Sequence, residues 1–442
     1  PAGTIGSGRI NIGGNAILAI KTSDDITLEN TITGLGGLTK SGSGTTTLVS
    51  ATTTKYHYVG DTTVEGGTLK LDYSAANAGI ISNNSRLVLG GGTIEYATVA
   101  GTTHNDEVRG FALLSGATTI TKTGTGSGRL RLNAVADIGI AGATVNFTAD
   151  GVADSDIGPT NGIIGSRARF TVGSNGNYDW ATQSGSSDSP IGAFTNYVNA
   201  SGTTSGTNTS NSRLVNSGLT LSGNLTTNTL KLENTGAPQT VTIGTDNTLT
   251  LTAGGLLVTG SDAVSIDGGT LKSNTATNSD LIIHQYNSGG LTIGSVIANG
   301  NGASTLTKSG TGTLILTGEN TYTGQTYLNG GTTVISSNAA LGTPSSGARL
   351  NLNNATLRVT EDVILSNGAV GTNNRPVSLN GLGGTFEVDA SKTLTIAGEI
   401  SGAGGLTKTG EGTLEIRNNP STGPTRIEAG TLRYGASVSN VY

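Results

Sequence analysis

A glycine-rich stretch near the end of the sequence decides the fold: "GAGGLTKTGEGTLEI" at residues 402–416. Apolar residues alternate with small or polar residues on both sides of a Gly-x-Gly pair. This alternation is typical of a β-strand with one buried face, and the paired glycines are typical of a tight turn. The stretch therefore predicts a strand, a corner and a second strand.

The same pattern occurs in three more copies, at residues 34–50, 117–132 and 300–316. In two copies the apolar residue that follows the Gly-x-Gly pair lies eight residues after the apolar residue that precedes the pair, as Leu314 follows Leu306. In the other two copies it lies ten beyond, as from Leu38 to Leu48. Strand side chains alternate with period two, so a difference of two keeps every side chain on the same face. The pattern is therefore one repeated module.

A second repeated element, "GGTL" or a near copy, begins at residues 66, 91, 268, 330, 383 and 429. Repeats of roughly 20–50 residues are typical of solenoids, propellers or arrays, and with a single Trp the aromatic signature of propeller blades is absent. We expect an all-β fold, a right-handed parallel β-helix with about 22 residues per rung and on the order of 18–20 rungs. N-terminal rungs are expected over 1–149, a lateral excursion or enlarged rungs over 150–216, and C-terminal rungs over 217–442.

Composition excludes several function classes. The net charge is −5 over 442 residues and no basic run stands out, so we expect no nucleic-acid partner. No apolar stretch approaches the ~20 residues of a membrane-spanning helix. The sequence has no cysteine, which excludes disulfides and thiolate metal sites and is compatible with export in an unfolded state.

The repeats resemble a known family. "LTKSGTGTLILTGENTYTGQTYLNGGTTVIS" from Leu306 is similar throughout to the autotransporter-associated β-strand repeat, also called the passenger-associated transport repeat. The copies from Leu38 and Leu406 are similar as well, although the last copy has "NPSTG" where the pattern has an aromatic residue. The likeness touches about two thirds of the chain.

The resemblance implies export and display at the surface of a bacterium with an outer membrane. We expect an extracellular or outer-membrane-surface protein that acts as a stalk, a fibre subunit or an adhesin shaft. The expected partners are further copies stacked end to end and host or matrix surface ligands or glycans. Family members carry a C-terminal membrane anchor. We expect any membrane contact to be made through such an anchor, which is absent from the sequence given, and not through the repeats.

An enzymatic role must be weighed, because β-helices include polysaccharide lyases and hydrolases. The one cluster of suitable composition contains Asp154, Asp156, Asp179 and Asp188, with Arg167 and Arg169. Such sites need several carboxylates on neighbouring rungs. We interpret Asp154 and Asp156 as turn residues and the two arginines as solvated strand positions, and we expect no catalytic site. The three histidines lack ligand spacing, so no metal or cofactor site is predicted either.

The alternative function is carbohydrate binding or polysaccharide degradation by the 150–216 excursion. Tyr178, Trp180, Phe194 and Tyr197 could form a sugar-stacking surface there. The simpler interpretation is that these aromatic residues are the small core of the excursion.

Each module also carries a lysine two residues after a buried Leu or Ile, at Lys40, Lys122, Lys308 and Lys408. The period of two places these side chains inward. Because a turn follows directly, we expect their ammonium groups to reach solvent at the corner.

Overall fold

The computed structural model describes residues 8–49, 56–74, 79–133, 135–137, 140–173, 177–185, 189–274, 279–344, 347–366 and 374–435. The chain divides into two compact units, Pro1–Thr195 and Asn196–Tyr442. Both units are built almost entirely from short parallel strands. Together they contain about 16 turns of a parallel β-solenoid, which confirms the predicted fold class.

The strands of the first unit are β1 Ile10–Ile12, β2 Ile17–Lys21, β3 Ile26–Leu28, β4 Ile32–Gly34, β5 Gly37–Ser41, β6 Thr45–Val49, β7 His57–Tyr58, β8 Thr62–Val64, β9 Thr68–Asp72, β10 Arg86–Leu89, β11 Gly92–Ala97, β12 Asp106–Glu107, β13 Gly110–Leu113, β14 Gly116–Thr123, β15 Leu130–Arg131, β16 Val135–Asp137, β17 Ala143–Phe147, β18 Ala153–Asp154, β19 Ala168–Val172, β20 Asn177–Gln183 and β21 Ile191–Ala193.

In the first turns of this unit, each strand pairs in parallel with the strand three positions later in the chain, as β2 pairs with β5 and β5 with β8. Three strands therefore make one turn of the helix. The stacking continues through β17 and β19, after which β19, β20 and β21 pair antiparallel. The parallel β-helix of this unit thus ends in a small antiparallel sheet.

The strands of the second unit are β22 Val198–Asn199, β23 Gly202–Thr207, β24 Asn211–Val215, β25 Leu219–Asn234, β26 Gln239–Thr242, β27 Thr248–Gly260, β28 Val264–Asp267, β29 Thr270–Ser273, β30 Leu281–Gln285, β31 Leu291–Ile293, β32 Val296–Ile297, β33 Leu306–Ser309, β34 Thr313–Leu316, β35 Thr326–Asn329, β36 Thr332–Ile335, β37 Leu350–Val359, β38 Val363–Ile364, β39 Val377–Val388, β40 Thr393–Ser401, β41 Leu406–Thr409, β42 Thr413–Asn418, β43 Thr425–Ile427 and β44 Thr431–Tyr434.

One 3-10 helix, Asn338–Leu341, interrupts the strands of the second unit. Ser337 caps it by accepting a hydrogen bond from the Ala340 amide at 3.4 Å. No helix in the described part of the chain is long and apolar enough to cross a membrane.

The core of each unit consists of inward-facing side chains stacked in register from rung to rung. In the second unit one column contains Leu256, Ile283, Lys308, Leu328, Leu352 and Leu379. Every member of this column is fully buried. A parallel β-helix buries only one face of each strand, which explains the alternation that the sequence displays.

Rung length varies more than the sequence suggested. Paired threonines on successive rungs lie 19 residues apart from Thr313 to Thr332 and 29 apart from Thr356 to Thr385. Corners therefore absorb insertions while the register of the strands is kept. For this reason the two units contain about 16 turns, and the expected 18–20 was too high.

The stretch at residues 150–216 contributes strands to both compact units. The division between the compact units falls between Thr195 and Asn196, inside this stretch. Its first part contributes the antiparallel strands β20 and β21 to the first unit, and its last part contributes β22–β24 to the second. The domain boundaries given by the sequence remain a prediction.

Candidate functional site

The repeated lysines lie inside the β-helix. Lys40, Lys308 and Lys408 are each 0% exposed. Lys40 stacks between Ile20 and Val64 in its column, and Lys408 stacks between Phe386 and Ile427. The period of two predicted this inward direction correctly. The expectation that the ammonium groups reach solvent was wrong for these three lysines.

Each buried lysine nitrogen bonds to backbone carbonyls at the glycine corner and on the next rung. We call this arrangement a lysine clamp. Lys40 Nζ donates to Ser41 O, Gly42 O and Gly66 O at 2.8, 3.0 and 3.3 Å. The stem thus fills a place in the apolar column while the nitrogen donates to carbonyls at the corner and on the next rung.

The other two clamps repeat this geometry. Lys408 Nζ donates to Thr409 O at 2.5 Å, Gly410 O at 2.7 Å and Ala429 O at 3.2 Å. Lys308 Nζ donates to Gly310 O and Gly330 O, both at 2.6 Å. A polar group that is buried without a partner destabilises the fold, and these contacts remove that penalty for the carbonyls and the amine together.

The "GG" of the GGTL element completes the clamp. Gly331 has φ +61°, and a Cβ there would lie 2.3 Å from Lys308 Nζ and 2.6 Å from the carbonyl oxygens of Gly310 and Gly312. Gly67 and Gly430 face Lys40 and Lys408 in the same way. The two sequence repeats are therefore halves of one three-dimensional unit, since the lysine of one rung meets the glycine of the next.

Lys122 departs from this pattern. Its side chain is half-buried and Nζ donates to a single carbonyl, that of Gly128, at 3.1 Å. Burial lowers the pKa of Lys122, and Arg129 lowers it further. The corner between β14 and β15 spans residues 124–129, whereas the corner after Lys40 spans residues 42–44.

Two of the repeats also contain a buried tyrosine that shares a hydrogen bond with a threonine four residues later. Tyr322 and Thr326 share a hydrogen bond of 2.7 Å between their hydroxyl oxygens, and Tyr58 and Thr62 share one of 2.5 Å. Burial raises the pKa of Tyr322 to about 12. In the last repeat Ser421 stands where the tyrosine would be, and the strand after it, β43, is exposed.

The outer face of the second unit carries a column of five threonines in register, one from each of five successive rungs. We call it the hydroxyl column; its members are Thr313, Thr332, Thr356, Thr385 and Thr407. All five are partly exposed. An open groove of about 220 Å³ follows part of the column and is lined by residues 354–356, 382–385 and 407. Its lining side chains are uncharged.

The four aromatic residues predicted for carbohydrate contact lie in different surroundings. Trp180 is 0% exposed and Phe194 is 7% exposed, so neither presents a ring face to solvent. Tyr178 is partly exposed and carries the Arg169 guanidinium 4.9 Å above its ring. Tyr197 belongs to the second unit, where Arg213 and Lys231 each lie 5.5 Å from its ring.

The aspartates weighed as catalytic candidates also lie in different surroundings. Asp154 is 3% exposed and lies 3.4 Å from the guanidinium of Arg129, whereas Asp156 is exposed and Asp179 is partly exposed on β20. Asp188 lies outside the described residues. Arg167 and Arg169 are buried, so the expectation that they are solvated was wrong, and Arg167 donates to the Ala143 carbonyl at 3.1 Å.

The histidines form no metal centre within the described residues. His104 and His284 are buried and His57 is exposed. No group of three or more His, Cys, Asp or Glu side chains there could hold a metal ion.

One buried group had no signal in the sequence. Arg375 is 0% exposed and donates to Asn338 Oδ1 at 3.0 Å, to Ala348 O at 2.8 Å and to Gly342 O at 2.9 Å. Burial lowers its pKa. These bonds join the segment around the 3-10 helix to the residues that lead into β39, where the sequence repeat is interrupted.

Comparison with known proteins agrees with this geometry. The Passenger-associated-transport-repeat family matches residues 38–71, 306–335 and 406–433, which are the segments that contain the three full clamps. The chain is 31% identical over 400 residues to "Adhesin BmaC autotransporter" of Brucella suis biovar 1 (strain 1330). This match covers 85% of the chain and 11% of that protein's length. No solved structure is significantly similar to the chain.

Proposed function

We propose that this chain, a passenger-associated transport repeat protein of the autotransporter type, is a segment of an adhesin exposed at the cell surface. The observation that carries the proposal is the 31% identity to an autotransporter adhesin over 85% of the chain. The role is structural and interfacial, without catalysis.

The contact surface in this proposal is the outer face of the β-helix. Its hydroxyl column offers donors and acceptors at the spacing of successive rungs, about 4.8 Å. Uncharged hydroxyl groups are cheaper to desolvate than charges, so many weak contacts can add up along such a face. This chemistry fits neutral host or matrix ligands, including glycans, better than nucleic acid.

The experiment is an attachment assay with the purified chain coupled to beads. Beads that carry the folded chain are expected to attach to host cells or to immobilised matrix proteins and glycans, and beads that carry the heat-unfolded chain are the control. Equal attachment of both bead types, or none, would count against an adhesive role.

We also propose that the end of the β-helix at β43 and β44 stacks either against another copy, which would build filaments, or against further rungs of a longer chain. Strands β43 and β44 pair with β41 and β42 on one side, and Ile427 and Tyr434 are 53% and 63% exposed. An exposed strand edge is a template for pairing with another chain. Electron microscopy of the wild type and of Ile427→Lys tests this: filaments are expected only for the wild type, and short uniform particles at high concentration would contradict stacking between copies.

The alternative proposal, carbohydrate binding by the 150–216 region, is supported by the partly exposed Tyr178 and Tyr197. Each ring lies beside a cationic side chain, and such a pair can contact the apolar face and the hydroxyls of a sugar. In this alternative Trp180 has a packing role.

A further inference from the structure

The three lysine clamps differ in the number of acceptors around the nitrogen. Lys40 Nζ and Lys408 Nζ each donate to three carbonyl oxygens. Lys308 Nζ donates to two, Gly310 O and Gly330 O, at 2.6 Å each. Among the described residues Lys308 Nζ makes no third hydrogen bond and no ion pair.

This difference matches the two protonation states of a lysine. An ammonium group has three N–H donors, and loss of one proton leaves two. Three carbonyls therefore suit an ammonium, as at Lys40 and Lys408. At Lys308 an ammonium would bury one N–H and a full charge without a partner, whereas a neutral amine uses both of its N–H groups.

We propose that Lys308 is a proton-sensitive clamp, which joins the rung of β33 to the next rung most firmly as a neutral amine and loosens when it is charged. It lies between Ile283 and Leu328 in its column and is 0% exposed.

The groups around the clamp do not offset the charge. Four titratable side chains lie on or beside the strands packed against Lys308. Asp280 accepts from Thr307, His284 lies in register with Ser309, Tyr286 lies against Gly310, and Tyr327 lies in register with Thr307. Burial lowers the pKa of Lys308 from 10.5 to about 7. The pKa values of Lys40 and Lys408 are also lowered by burial.

The sign of the effect follows from proton linkage. The folded chain binds fewer protons at Lys308 than the unfolded chain between about pH 7 and 10.5, so the stability of this region rises with pH across that window. Below about pH 7 both states are charged and the dependence ends. Tyrosine ionisation in the unfolded chain opposes this rise in stability only near pH 10. The range from about pH 7 to 9 is therefore free of the tyrosine contribution.

The test compares urea unfolding of the whole chain at about pH 7 and about pH 9 for wild type, Lys308→Met and Lys408→Met. Methionine keeps the apolar stem and removes the titrating group. The wild-type unfolding constant is expected to fall on the order of tenfold or more over this range. Lys308→Met should abolish most of that fall and Lys408→Met should retain it. An equal fall in wild type and Lys308→Met would overturn the proposal.

A second measurement covers the case in which Lys308→Met does not fold. In the wild type with ¹³C-labelled lysine, one side-chain signal is expected to titrate near pH 7 and to persist in Lys40→Met and Lys408→Met. If every lysine signal of the folded chain titrates above about pH 9, Lys308 is an ordinary buried ammonium and the proposal is wrong.

Discussion

Lys308 Nζ lies 2.6 Å from the carbonyl oxygen of Gly330, a residue on the next rung of the β-helix. This contact joins the two halves of the sequence repeat, the "LTKSGTG" corner and the "NGGTT" corner, which follow each other by one turn. The repeated sequence thus supplies a hydrogen bond that holds one rung on the next. The predictions below follow from this contact and from the surfaces that surround it.

Gly331→Ala should destabilise the second unit by about 2 kcal/mol or more, because alanine is strained at a positive φ and its Cβ would overlap Lys308 Nζ and two carbonyl oxygens. Gly236→Ala is the matched control, since a Cβ at Gly236 meets nothing within 4 Å. Urea unfolding measures both. An unchanged midpoint for Gly331→Ala would show that the corner is looser than described.

The Tyr322–Thr326 hydrogen bond should contribute about 1 kcal/mol to stability. Tyr322→Phe and Thr326→Val each remove one partner of a buried pair, so each single variant should be destabilised and the double variant should lose less than the sum. A double-mutant cycle of unfolding free energies measures the coupling. Strict additivity would mean that the two hydroxyls do not interact.

Arg375→Lys should be destabilising by about 2 kcal/mol although the charge is kept. The planar guanidinium donates in three directions, to Asn338, Gly342 and Ala348, and an ammonium on a flexible stem cannot reach all three. Arg358→Lys, at a partly exposed arginine on the same unit, is the control and should cost less than 1 kcal/mol. Equal thermal shifts in the two variants would contradict this role of Arg375.

Trp180→Ala and Tyr178→Ala should separate packing from sugar binding. Trp180 is fully buried, so its loss should destabilise the first unit by about 3–5 kcal/mol. Tyr178→Ala removes a partly exposed ring and should leave the unfolding midpoint nearly unchanged. If the carbohydrate alternative holds, Tyr178→Ala should weaken retention on a glycan column, and retention equal to that of the wild type would count against it.

Most of the fold could be predicted from the sequence because a β-helix repeats the same physical constraint at every turn. Alternation identified strands such as Leu406–Thr409, and the glycine pairs identified corners. The inward direction of Lys308 also followed from the period of two. What the sequence could not supply was the environment of its nitrogen, because the carbonyl of Gly330 comes from the next rung.

Other features depended on contacts that leave no local pattern. The burial of Trp180 depends on the antiparallel pairing of β19 with β20, where it stands opposite Arg169. Arg375 lies in an interrupted repeat, and nothing near it in the sequence indicates its three acceptors. The hydroxyl column required the strand register, since "GGTL" supplies only some of its threonines.

The central claim, that the outer face of this surface protein is adhesive, is tested most directly by charging the hydroxyl column. Thr332→Glu with Thr385→Glu places two carboxylates in the column, two rungs apart. The control is Thr393→Glu with Thr431→Glu, also two rungs apart in a separate outward column. In the bead attachment assay, the first variant should lose at least tenfold in attachment, which corresponds to about 1.4 kcal/mol, while it folds normally and the control binds as the wild type does. Full attachment by the first variant would contradict the account.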